Sequence, residues 1–151
     1  MEIRRRDLLL ASGLSALAQG QWMAEAPFRL ASEDAPLPMV EAQVNAEVLR
    51  SLVIDTGNIA APLVLSRAAA KLAGISVDEA KPLAGAYGVG GAGGRMFSGE
   101  VARFEFAGMV QAKLPAAVSP GLDVLSQNTG VRIEGALGGA YFTGLALRLD
   151  Y

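Results

Sequence analysis

The run Leu52-Val53-Ile54 delivers a carboxylate, Asp55, and is closed at once by Thr56-Gly57. A short apolar, β-branched run bounded by turn residues reads as a buried strand. The hexapeptide therefore demands a rigid strand with an acid at its C-terminal end. The remaining inventory makes that acid conspicuous, because the chain has no His and no Cys. Ser-His and Cys-His nucleophiles, zinc sites built on those residues and disulfides are all excluded. Chemistry is left to carboxylates, Lys, Tyr, hydroxyls and backbone groups.

The 151 residues fit one domain with a real core. With 18 Gly and only 6% aromatic residues between short apolar runs, β-structure is favoured over a helical bundle. A net charge of −2 offers no electrostatic case for nucleic acid.

The first 20 residues have a different character. Arg4-Arg5-Arg6 precedes the apolar stretch Leu8 to Ala18, and Ala16-Leu17-Ala18 is a small-x-small cleavage pattern. The stretch is shorter than the roughly 20 residues of a spanning helix, so a removable export signal is expected over 1–20, with no stable membrane anchor. The other reading of this segment is an amphipathic N-terminal helix. Arg5-Arg6-Asp7-Leu8-Leu9 also resembles the twin-arginine pattern, and the general secretory route is the alternative. The expected destination is the periplasm or the exterior.

Residues 21–37 carry Pro27 and Pro36 without a clear period and read as an extended arm or linker. From 38 to 151 the pattern is strand-rich. Val40, Ala42 and Val44 alternate with polar residues, Asn45-Ala46 makes a turn, and Val48 to Ile54 is a second strand. Leu63-Val64-Leu65 is a short buried strand, followed by Ser66 as N-cap, a helix over 67–73 and Gly74 as its stop. Gly85 to Gly94 is glycine punctuation at the tip of a hairpin whose return strand is Ser98 to Phe106, with Ala102, Phe104 and Phe106 on one face and Val101, Arg103 and Glu105 on the other. Gly108 turns the chain into Val110–Val118; Pro120 to Gly130 reads as loop with at most one helical turn. Glu134 to Gly139 is a Gly-framed apolar element, followed by a short helix at 140–143 and a last strand, 145–149.

One carboxylate on a strand end is a poor peptide hydrolase. Two facing each other about 3 Å apart cannot both ionise, and the shared proton makes one a general base on water and the other a hydrogen-bond donor to the scissile carbonyl.

Val53-Ile54-Asp55-Thr56-Gly57, then Leu63-Val64-Leu65-Ser66 and the helix, resembles retropepsin-like aspartic peptidases, in particular exported bacterial members. The glycine run Gly85–Gly94 stands where that family has its flap, Gly135-Ala136-Leu137-Gly138 with Tyr141-Phe142 matches its apolar-apolar-Gly element and short helix, and Leu147 to Tyr151 matches its closing strand. The resemblance covers roughly Pro38 to Tyr151. It implies a mainly-β fold, a retropepsin-like acid protease lobe: a small β-barrel with a flap hairpin and one or two short helices. It further implies one catalytic Asp per lobe, with the second lobe supplied by homodimerisation or by a missing segment. By position it makes Asp55 the catalytic acid and base, Thr56 the interlobe hydroxyl and Gly57 the turn residue. Asn58 and the flap residues Val89, Gly90, Gly91, Ala92, Gly93 and Gly94 become substrate contacts, with no metal or cofactor. Asn58 departs from the family, which has Ala or Ser there, and such domains commonly continue beyond the position of Tyr151.

Two functions follow. The first is an aspartic endopeptidase acting on peptide or protein substrates through paired Asp55 carboxylates. The second is a non-catalytic peptide-binding or structural lobe of an envelope protein, to which Asn58 and the short C-terminus point.

Overall fold

The computed structural model describes residues 6–12, 24–34, 36–87 and 95–151. Its centre is a closed barrel. The hairpin of β3 (Pro38–Val44) and β4 (Glu47–Asp55) turns at Asn45-Ala46, as expected. β4 then pairs in parallel with β9 (Gly135–Gly138), and β9 pairs antiparallel with β5 (Leu63–Leu65). β5 runs parallel to β8 (Met109–Val118), which forms a long hairpin with β7 (Arg95–Phe106). Pairing of Val44 with Phe104 closes the ring of six strands from β7 back to β3. Val40, Val44, Leu49, Leu52, Leu63, Leu65, Phe104, Phe106 and Leu137 fill the interior.

The short helix α1 (Arg67–Leu72) begins where expected. Ser66 caps it by accepting the Ala69 N–H at 3.1 Å, and Asp123 accepts the Arg67 and Ala68 N–H groups. Gly74 ends it with a φ of +66°, a left-handed conformation that glycine adopts without strain.

Three elements differ from expectation. Residues 120–129 form a ten-residue helix, α2 (Pro120–Thr129), where a loop was expected. The pattern hid it because only Leu122 is fully buried and Val124 is exposed, although Pro at its first turn and Gly130 with φ +68° at its end are standard boundary residues. Within the expected arm, Ala24–Leu30 is a strand, β2, with Ala26 and Phe28 buried in alternation. In β7, Val101 is buried together with Phe104 and Phe106, while Ala102 is exposed. The β7–β8 ladder skips the Ala102–Lys113 position, and Lys113 has a left-handed φ of +53°, so the alternation loses phase there.

Arg6–Ser12, inside the segment read as an export signal, is also a strand, β1. It pairs with β10 (Leu145–Asp150) on one side and β2 on the other, and Leu10 is fully buried in the main core.

Candidate active site

Asp55 is the last residue of β4, delivered from a strand whose residues Ser51 to Ile54 are all buried. Its register partner is Gly138 at the end of β9, so two parallel strands finish side by side under the acid. The chain then reverses immediately: the Asn58 N–H donates to the Asp55 carbonyl at 3.1 Å, and the Gly57 N–H donates to Asp55 Oδ1 at 3.2 Å. The carboxylate is partly exposed, with one oxygen held by its own loop. That hydrogen bond fixes the plane of the group.

Gly57 does not take a left-handed φ, so the turn itself does not demand glycine. A Cβ there would stand 3.4 Å from Asp55 Oδ1, an ordinary van der Waals contact. Thr56 is exposed, and its hydroxyl makes no hydrogen bond among the described residues. Asn58 turns inward on its own loop, its Oδ1 accepting the Ala60 N–H at 3.1 Å in an Asx turn. This bond uses the side-chain oxygen, and Nδ2, the group that could donate to a carboxylate, makes no hydrogen bond to Asp55. Ile59, the next residue, is 82% exposed and is an apolar surface beside the acid.

The flap hairpin is present as β6 (Pro82–Tyr87) pairing antiparallel with β7, Pro82 opposite Phe97 and Tyr87 opposite Arg95. Its expected tip, Val89, Gly90, Gly91, Ala92, Gly93 and Gly94, lies outside the described residues. Leu83 of β6 and Met96 of β7 pack with Val53, Ala61 and Ala136, so the hairpin base shares a cluster with the strands that carry Asp55.

Gly138 and Gly139 were not singled out individually in the sequence, yet they hold the loop. A Cβ on Gly138 would lie 2.3 Å from the Ala61 carbonyl oxygen and 2.7 Å from that of Asn58, and one on Gly139 would lie 2.5 Å from the Thr56 carbonyl oxygen. The signal was the doubled glycine at the end of an apolar run, which marks close backbone approach. Downstream, the 3₁₀ turn Gly139–Phe142 plugs the barrel end, with Tyr141 stacked edge-on against Phe104, Phe106 and Phe142.

No protein-family model matches the chain, and no curated protein matches it. Among solved structures it is similar to a retropepsin-like aspartic protease from Rickettsia conorii, with a TM-score of 0.51 at 13% identity, covering 100% of this chain and 97% of that one. Together, the six-stranded barrel, the strand ending on Asp55 and the parallel β4–β9 pair show that this chain has the fold of a retropepsin-like lobe.

Proposed function

We propose that this chain is an aspartic endopeptidase, active as a homodimer in which each copy contributes one Asp55. The observation that carries this reading is the placement of Asp55 at the end of a buried strand, beside Gly138, in a retropepsin-like lobe. The chain contains a single Asp-Thr-Gly, so a second carboxylate has to come from a second copy or from a further segment.

In the dyad, one carboxylate is ionised and the other protonated. The ionised Asp55 removes a proton from water as the water oxygen bonds to the scissile carbonyl carbon, while the protonated partner gives its proton to the carbonyl oxygen. The tetrahedral diol then loses the C–N bond, the leaving nitrogen takes a proton from the first carboxyl, and the second recovers its own from the collapsing hydroxyl. Thr56, with its hydroxyl free in the single lobe, is suited to bonding backbone of the partner beneath the dyad. Ile59 offers an apolar contact to an extended peptide. We also read residues 1–20 as an export leader, which would put the enzyme outside the cytoplasm.

The test is cleavage of a broad peptide library between pH 3 and 7 by wild type and Asp55→Asn, each in the mature form that its own cell produces. The reading expects cleavage with a bell-shaped pH profile on the acid side, abolished in Asp55→Asn with folding retained. A folded dimer that cuts nothing but retains peptides in Asp55→Asn and wild type alike would replace it with the binding-lobe reading.

A further inference from the structure

Leu49 and Leu52 are three residues apart on one strand, yet both point into the barrel interior, along with Ile54. A regular strand alternates faces with period two and cannot do this. The reconciliation is a β-bulge. Val40 of β3 pairs with Leu52 and Ala42 with Leu49, so Arg50 and Ser51 together oppose the single residue Glu41. Downstream of the bulge the phase is reset, with Val53 in the second cluster and Asp55 emerging two residues later on the same side. Without the extra residue, either Leu49 would leave the core or the segment Leu52 to Asp55 would be inverted.

The bulge is held by a buried acid. Glu134, 6% exposed, sits one residue before β9. Its Oε2 accepts the N–H groups of both bulge residues, Arg50 at 2.7 Å and Ser51 at 3.0 Å. Its own N–H donates to the Ser51 carbonyl at 3.0 Å, and its carbonyl accepts the Ser66 N–H at 2.9 Å, tying β4 to the start of α1. Its Oε1 receives Arg132 Nη2 at 2.5 Å, and the Ser51 hydroxyl accepts from Arg29 Nη2 at 2.8 Å. A carboxylate that accepts both bulge amides at once is a strong clamp in a buried place.

We propose that Glu134 is a positioning residue for Asp55, acting through the β4 bulge to set the facing and plane of the carboxylate. The proposal rests on Asp55 being the reacting group, but its central readout does not require turnover. Glu134 and Asp55 are on adjacent parallel strands, Glu134 at the entry of the β4–β9 ladder and Asp55 at its exit, four strand residues beyond the bulge. A displacement at the bulge therefore passes along one stiff, buried segment to the acid. Misplacement of a reacting group by about 1 Å costs on the order of a hundredfold in rate.

The experiment compares wild type, Glu134→Ala, Glu134→Gln and Glu134→Asp, each in the mature form that its own cell produces. It follows amide exchange at Arg50 and Ser51, the Asp55 carboxyl resonance and its titration by ¹³C NMR, and kcat and KM on any peptide the wild type cleaves. In Glu134→Ala the two amides should exchange roughly tenfold faster, the Asp55 resonance should move, and kcat should fall roughly 10- to 100-fold with KM within about twofold. Glu134→Gln keeps an acceptor for both amides and should restore kcat to within about threefold, as a charge role would not. Should Glu134→Ala not fold, Glu134→Asp carries the same test, because it withdraws the carboxylate by one methylene. A folded Ala or Asp variant whose Arg50 and Ser51 amides exchange faster while the Asp55 resonance, its titration and kcat stay those of wild type overturns the proposal. If wild type cleaves nothing, the proposed function fails while the Asp55 resonance still decides for or against Glu134.

Discussion

Asp55 and Gly138 end adjacent parallel strands as register partners, and the loop leaving Asp55 lies so close over Gly138 that no Cβ fits beneath it. The obstructing atoms are the carbonyl oxygens of Asn58 and Ala61, which are backbone and cannot rotate away. Gly138→Ala should therefore displace residues 56–61 rather than a side chain. Overpacking of this kind costs about 1–3 kcal/mol, seen as a lower urea midpoint with unchanged slope. Peptide cleavage should fall further than stability does, because the displaced loop carries Thr56, Gly57 and Asn58.

Asn45 is a second point where one side chain joins several elements. It turns the β3–β4 hairpin with a φ of +55°, donates through Nδ2 to the Ala73 carbonyl at 2.8 Å and accepts the Arg103 N–H at 3.2 Å. Asn enters the left-handed region readily, whereas Ala does so at a cost of about 1–2 kcal/mol. Asn45→Ala should cost about 2–3 kcal/mol, and Asn45→Gly less, since it loses the bonds but keeps the conformation. Thermal unfolding of the two variants separates the contributions, with a larger loss in Gly than in Ala counting against this account.

What was legible in the sequence is what local rules control. Leu63-Val64-Leu65, the Ser66 cap and the Asp55 strand end are each fixed by residues within a few positions, and each is found in place. Helix α2 was missed because its buried face is little more than Leu122, with too few apolar residues to show a helical period. The Val101 phase depended on the distortion at Lys113, and the β4 bulge on Glu134, more than 80 residues away in sequence. The Asp55 acid could be read because it ends an apolar run before Thr-Gly, whereas Glu134 opens the Gly-framed element with no turn signal to mark it and is explained only by the amides it meets in the folded chain.

Tyr141 provides a titration that reports on the barrel plug. Its hydroxyl is buried without a hydrogen-bond partner among the described residues, and burial pushes its pKa up from 10.0 to about 12. The folded state thus holds the proton in a range where the unfolded chain has released it, so stability is intact below pH 10 and is lost as pH rises towards 12. Tyr141→Phe should remove this alkaline loss and be neutral or slightly stabilising at pH 7, since it deletes an unsatisfied polar atom while keeping the ring contacts with Phe104, Phe106 and Phe142. Denaturant melts of both proteins at pH 7 and 11 check it, and an equal alkaline loss in the variant would exclude Tyr141 as its source.

The last prediction joins the N-terminal segment to assembly. Strand β1 pairs over Asp7–Ser12 with β10 and over Arg6–Leu10 with β2, antiparallel to both. If residues 1–20 are removed on export, two strand edges are left facing a gap one strand wide, roughly 9–10 Å. Because β2 and β10 run parallel to each other, a strand that replaces β1 with the same pairing runs antiparallel to both. The β10 of a second copy, related by a two-fold axis, satisfies this and gives the order β2, partner β10, β10, partner β2. It would also cover Leu145, Leu147 and Leu149, which are half-exposed even with β1 in place. Mass spectrometry of the protein from its own cell should then show loss of about the first 18 to 20 residues. In sedimentation velocity at micromolar concentration, a chain beginning near residue 21 should be dimeric, while the full chain, with β1 filling the gap, stays monomeric. A trimmed chain that remains folded and monomeric would mean that β10 is not the dimer strand, and a dimeric full chain would mean that β1 does not stand in its way.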